Sequence, residues 1–232
     1  MPLRKWIESV NNAIDGILHT AKTEKHLRYH LYSATTVLIL SFLLGVSRSD
    51  FLFIAVLVSI VILAEMFNTA IEHTVDILSP EVQERAKYAK DIAAGAVLIT
   101  AFAAAVIGYV ILFPYVSNAF RNGLNITRRH PEDVAIVSLS IVLIVVVLLK
   151  SHFGKGKPLK GGIPSGHAAL AFSVWIAVTY ITKNLVVSAL SFVLAAIIAQ
   201  SRIATKTHNA LEVIAGALLG AIITFLLFYF FS

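Results

Sequence analysis

Residues 51–76 read FLFIAVLVSIVILAEMFNTAIEHTVD, an apolar run that passes without a break into a polar one. Its first part, 51–71, has the length of one bilayer crossing, since a helix needs about 20 apolar residues to span. In its second part Glu65, Asn68, Glu72 and Asp76 are spaced three, four and four apart. At roughly 100° per residue they fall within about 80° of one another, on one helical face. Each ionisable group at membrane depth costs a few kcal/mol or more, so several on one face need a compensating partner. The stretch reads as a membrane helix with a working polar end.

The rest of the chain agrees with a membrane setting. Of 232 residues, 58% are hydrophobic and 14% charged, and mean hydropathy is +0.83. A soluble domain cannot hide that much apolar surface. The absence of cysteine excludes disulfides, thiolate metal sites and cysteine nucleophiles. A formal charge of +6 raises the question of nucleic acid. Lys and Arg sit at span edges, however, which suits anionic lipid head groups and the positive-inside rule, so no nucleic-acid partner is expected.

The expected fold is all-α and polytopic, with about seven transmembrane helices at 31–47, 51–71, 92–114, 133–149, 168–182, 185–200 and 210–231. No cleavable signal peptide is expected from the first residues of the sequence. Instead Leu3, Trp6, Ile7, Val10, Ile14, Ile17 and Leu18 share one helical face, opposite Arg4, Lys5, Glu8, Asn11, Asn12 and Asp15. That is an amphipathic interfacial helix rather than a span. The stretch 113–133 contains Pro114, Pro131 and the turn pair Asn122-Gly123, and marks a seam between domains 1–120 and 121–232. Seven spans put residues 22–28, 85–91, 150–160 and 202–206 on one side, which the positive-inside rule makes cytoplasmic. Arg121, Arg128 and Arg129 in the seam are a counter-signal.

The acidic helix face is one candidate site. Glu24 precedes the first span, and Lys90-Asp91 open the third. A divalent cation with bound phosphate would compensate such a face, because Mg²⁺ takes one or two carboxylates plus substrate oxygens. The plainer reading is a buried polar network that only locks helices together. Residues 10–113 resemble the small three-span bacterial lipid kinases, diacylglycerol kinase and undecaprenol kinase. The matching stretches are Glu24 with Arg28, then Glu65-x-x-Asn68-x-x-x-Glu72-x-x-x-Asp76, then Ala89-Lys90-Asp91-x-x-Ala94-Gly95-Ala96-Val97-Leu98. The resemblance implies Mg²⁺ and ATP, with Glu24 and Glu72 as metal ligands and Glu65 as general base on the lipid hydroxyl. It implies that Asn68, Lys90 and Asp91 contact the nucleotide or order the site. It also implies a homo-oligomer, typically a trimer with sites shared between subunits.

The second candidate site is cationic. Lys150 ends a span and Lys157-Pro158 follows. Pro164-Ser165-Gly166-His167 then open the next span, and Ser201-Arg202 is followed after five residues by His208, then Glu212. A helix N-terminus beside Ser and Gly is a ready anion site, and Lys and Arg add charge-assisted bonds to phosphate oxygens. Two histidines can divide the labour of nucleophile and general acid. The four-residue step from His208 to Glu212 lets the carboxylate orient the imidazole. Taken singly, each has a duller explanation: Lys155 and Lys160 as positive-inside determinants, Ser201 as a cap or packing residue.

In combination they resemble the phosphatidic-acid phosphatase type-two superfamily, whose motifs are Lys-x6-Arg-Pro, Pro-Ser-Gly-His and Ser-Arg-x5-His-x3-Asp. The match covers 133–231, with fewer spans than the six common there. Two residues depart: Lys157 replaces Arg and loses its planar fork, and Glu212 replaces Asp, a methylene longer, which would displace its bond to His208. The resemblance implies His208 as nucleophile forming a phosphohistidine, Glu212 orienting it and His167 protonating the leaving group. Lys150, Lys157, Ser165, Gly166 and Arg202 would hold phosphoryl oxygens, with no metal.

The expected whole is a bifunctional lipid kinase and lipid-phosphate phosphatase of the bacterial cytoplasmic membrane. Phosphorylating undecaprenol and dephosphorylating undecaprenyl pyrophosphate both yield undecaprenyl phosphate, so the two activities need not waste ATP. The alternative is diacylglycerol phosphorylation joined to phosphatidic-acid or phosphatidylglycerophosphate hydrolysis. A third is one degenerate, purely structural half. A transporter reading leaves the Ser-Gly-His and Arg-x5-His spacings unexplained.

Overall fold

A computed structural model describes residues 2–81, 83–123, 128–153 and 162–232, and their regular secondary structure is entirely α-helical. Lys155, Lys157 and Lys160 lie outside the described residues. The helices are α1 (Pro2–Thr23), α2 (Lys25–Leu43), α3 (Arg48–Leu78), α4 (Glu84–Asn122), α5 (Pro131–Phe153), α6 (Gly166–Thr182), α7 (Leu185–Ala204) and α8 (Ala210–Phe231).

The protein is an all-α membrane protein. Among the described residues five helices, α3, α4, α5, α7 and α8, are long and apolar enough to cross a bilayer. The expected spans fall one within each of α3 to α8, the first largely within α2. However, α6 has only 17 residues, and α2 spends its first turns on Lys25, His26, Arg28 and His30. Seven crossings would require both α2 and α6 to span as well. The third span is longer than its sequence suggests: α4 continues through Pro114 to Asn122. A membrane helix tolerates the lost N–H donor of proline where its surroundings re-satisfy the freed carbonyl. The stop comes at Gly123, whose φ of 79° suits a residue without Cβ.

Contacts divide the chain into two compact units, Thr23–Ile126 and Met1–Lys22 with Thr127–Ser232. In the first, α3 packs against both α2 and α4. Antiparallel succession brings the start of α2, the end of α3 and the start of α4 to one end. At the other end Ser47 caps α3 by accepting from the Asp50 N–H (3.2 Å), and Tyr115 of α4 donates to the Asp50 carboxylate (2.5 Å). An apolar cavity of about 580 Å³ lies among α2, α3 and α4, lined by Val37, Ile54, Val61, Ala104 and Tyr109 among others.

In the second unit α6 is central, packed on α8, α7 and α5. The α6–α8 crossing is very close. A Cβ on Gly216 would overlap the Ser165 carbonyl oxygen, and one on Gly220 the Ala169 carbonyl oxygen. One turn further, the Ser173 and Thr224 hydroxyls share a hydrogen bond (2.6 Å). Small residues let membrane helices approach in this way and gain contact and hydrogen-bond energy where lipid offers no hydrophobic drive. Helix α1 groups with this unit. Its Leu18 and Ala21 are buried while Trp6, Val10, Ile14 and Ile17 stay exposed, as an interfacial helix requires.

Candidate functional sites

At the polar end of the first unit, burial grades along α3. Glu65 and Thr69 are buried, Asn68 and Glu72 half-buried, Asp76 exposed. The face read from sequence is present, and Asn68 Nδ2 donates to Glu72 Oε1 at 3.1 Å. Lys90 of α4 pairs with Asp76 of α3, while Asp91 is exposed one residue on. Glu65 lies within electrostatic reach of Glu24, Glu72, His26 and His30. His30 also lines the apolar cavity, as does Val61, one turn before Glu65. The lining of the cavity thus comes within one helical turn of Glu65. Sequence reasoning passed over His30, although its step of four from His26 places both on one face of α2.

A divalent cation fits this set. The donors are hard oxygens, and Asn68 Oδ1 is buried without a hydrogen-bond partner, so it is free to accept from or ligate something. Among the described residues no three His, Asp or Glu form a closed metal cage. Mg²⁺ does not need one, because it keeps water and phosphate oxygens in its shell.

The second site is built by topology. The end of α5, the start of α6, the end of α7 and the start of α8 meet at one end of the bundle. They bring together Lys150, His167, Arg202, His208 and Glu212, each within electrostatic reach of others in the group. Lys150 is buried at 8% exposure and Ser165 at 0%. Ser165 occupies the N-cap position of α6 without using its side chain as a cap. Its hydroxyl and the Arg202 Nε are buried without partners, a cost that a bound oxyanion would remove. Gly166 faces Val146 closely: a Cβ there would sit 3.3 Å from Val146 Cγ1. Ser201 donates to its own helix at Ile198 (2.7 Å), which fits the duller reading of that residue.

His208 lies in the turn between α7 and α8, its backbone N–H held by the Arg202 carbonyl (3.1 Å). Its Nδ1 meets Glu212 Oε2 at 2.8 Å. With the proton on Nδ1, Nε2 keeps its lone pair. The longer glutamate therefore does not displace the bond to His208, contrary to the sequence expectation. Burial pushes the His208 imidazole below its usual pKa, and the Lys150 and Arg202 charges act in the same direction against the Glu212 bond. Three further residues were not anticipated. Asn209 forms a capping box with Glu212, Gly162 donates its N–H to Glu212 Oε1 (3.1 Å), and Gly216 permits the close crossing.

These features define a membrane protein with two candidate sites for phosphate chemistry, one anionic and one cationic. Residues 11–112 match the prokaryotic diacylglycerol kinase family and residues 98–232 the PAP2 superfamily. The chain belongs to both, as a fusion of a prokaryotic diacylglycerol kinase-type lipid kinase with a PAP2-type lipid phosphatase. Among relatives, it is 39% identical over 112 residues to an undecaprenol kinase of Bacillus subtilis, covering 48% of this chain and 91% of that one. It is 34% identical over 122 residues to a diacylglycerol kinase of Synechocystis, covering 49% of this chain and 70% of the relative. No solved structure matches the chain.

Proposed function

We propose that the kinase half phosphorylates undecaprenol from ATP and the phosphatase half hydrolyses undecaprenyl pyrophosphate, so that both supply undecaprenyl phosphate at the bacterial cytoplasmic membrane. The observation that carries this reading is the similarity of the first half to an undecaprenol kinase, joined to a separate cationic phosphate site. The similarity to a diacylglycerol kinase supports the second reading, in which both halves act on glycerolipids. The domains are 1–120 and 121–232, with seven crossings and assembly as a homo-oligomer, a trimer through the kinase half.

In the kinase half Glu24 and Glu72 would hold Mg²⁺, which would neutralise charge on the ATP phosphates. Asn68, Lys90 and Asp91 position the nucleotide. Glu65, beside the lipid cavity, accepts the proton of the lipid hydroxyl as its oxygen attacks the γ-phosphorus. In the phosphatase half His208 Nε2 attacks the terminal phosphorus. The bond to the leaving oxygen breaks, and His167 gives that oxygen a proton. Water then attacks the phosphohistidine, returning a proton to His167 and releasing inorganic phosphate. Lys150, Lys157, Ser165, Gly166 and Arg202 stabilise the oxygens throughout.

Purified protein in detergent with labelled ATP and a panel of lipid alcohols tests the first activity. Undecaprenol should be labelled most efficiently, and Glu72→Gln should abolish labelling; labelling that persists in Glu72→Gln would sink the metal assignment. Phosphate release from undecaprenyl pyrophosphate should survive EDTA and disappear in His208→Ala. Release that EDTA stops argues against the histidine route.

A further inference from the structure

Glu212 makes more contacts than orienting one histidine requires. Oε2 accepts from His208 Nδ1 at 2.8 Å and from the Asn209 N–H at 3.3 Å. Oε1 accepts from the Gly162 N–H at 3.1 Å, across fifty residues of chain. Gly162 has a φ of 87°, in the left-handed region open to glycine, and lies three residues before Ser165. The backbone carbonyl of Glu212 in turn accepts from the Ser165 N–H at 2.9 Å. Residue 212 thus grips the approach to α6 at two points and the imidazole at a third.

We propose that Glu212 is a positioning residue for the phosphate cradle as well as for His208, its extra methylene giving the reach to hold Gly162 and His208 together. An aspartate carboxylate on the same backbone would sit about 1.5 Å closer to the main chain and lose one of the two. Keeping His208 would free Gly162 and leave the main-chain bond to the Ser165 N–H as the remaining hold of residue 212 on the approach to α6. Gly216 belongs to the same device. The Glu212 carbonyl reaches Ser165 only because α8 crosses α6 where residue 216 has no side chain. This inference rests on reading the cluster as a phosphate site.

The test uses the full-length protein in lipid nanodiscs, with phosphate release from a lipid pyrophosphate and inhibition by orthovanadate as readouts. Glu212→Asp should keep kcat within a few-fold and leave the acid limb of the pH profile in place. Its KM and its vanadate inhibition constant should rise roughly tenfold or more, as expected for one lost hydrogen bond to a charged group. Glu212→Gln should instead lower kcat and move the acid limb down, because the carboxylate that favours the imidazolium is gone. Wild-type KM and vanadate constants in Glu212→Asp would overturn the proposal, as would a fall in kcat alone shared by both variants. Gly216→Ala should weaken vanadate inhibition in the same direction; if it fails to fold, the two Glu212 variants still decide. A wild-type protein that neither releases phosphate nor binds vanadate refutes the functional reading itself, and the positioning role with it.

Discussion

At the residue scale, His208 carries the most specific consequence. Its pKa is held below the ordinary value by burial, with Lys150 and Arg202 reinforcing the effect, so Nε2, the proposed nucleophile, is unprotonated at neutral pH. Protonation occurs only as pH falls through that lowered value. The acid limb of kcat/KM, which reports the free enzyme, should therefore lie below about pH 6.5. A limb at or above that value would contradict the burial argument. Removing the cation at Arg202 with Arg202→Met should move the limb upward while weakening phosphate capture. The sequence identifies His208, Glu212 and Arg202 as a group because their spacings are fixed along one turn and the helix that follows. It gives no sign of Gly162, whose partner lies fifty residues away and whose role depends on a backbone angle.

At the element scale, the α6–α8 crossing decides the geometry of the cationic site. Gly220→Val places branched carbon against the Ala169 carbonyl, where no flexible side chain can give way. Overpacking of this kind costs about 1–3 kcal/mol. Thermal stability and phosphate release should both fall while ATP-dependent lipid labelling stays near wild type. Thr224→Val deletes the bond to Ser173 and should cost about 0.6 kcal/mol, the average for an interhelical bond in membrane proteins. The helices themselves are legible from hydropathy, and the four-residue step Gly216, Gly220, Thr224 is a small-residue pattern readable in principle. Which helix it meets is not, because several neighbours satisfy the same pattern. The stop of α4 shows the same limit. Pro114 looks like a terminator in a water-soluble context, yet the helix passes it and ends at Gly123.

At the scale of the whole molecule, α1 falls within the kinase match from residue 11 onward but groups by contacts with Thr127–Ser232. Asp15 and Lys22 of α1 lie within electrostatic reach of Lys150. Deleting residues 2–22 should therefore lower phosphate release several-fold as well as impair lipid labelling; unchanged phosphate release would show that α1 serves the kinase alone. The lengths of α3 and α4 have a further consequence. With 31 and 39 residues, they measure roughly 46 and 58 Å at 1.5 Å per residue, against a hydrocarbon layer of about 30 Å. The overhang makes α3 a depth ruler. Glu65 and Asp76 are separated by about 16 Å along its axis, more than the headgroup layer of about 5–8 Å on one side of the bilayer. In the proposed reaction a membrane-anchored alcohol would meet the buried Glu65 carboxylate without leaving its leaflet, and the water-soluble phosphate donor would be received about two turns further out.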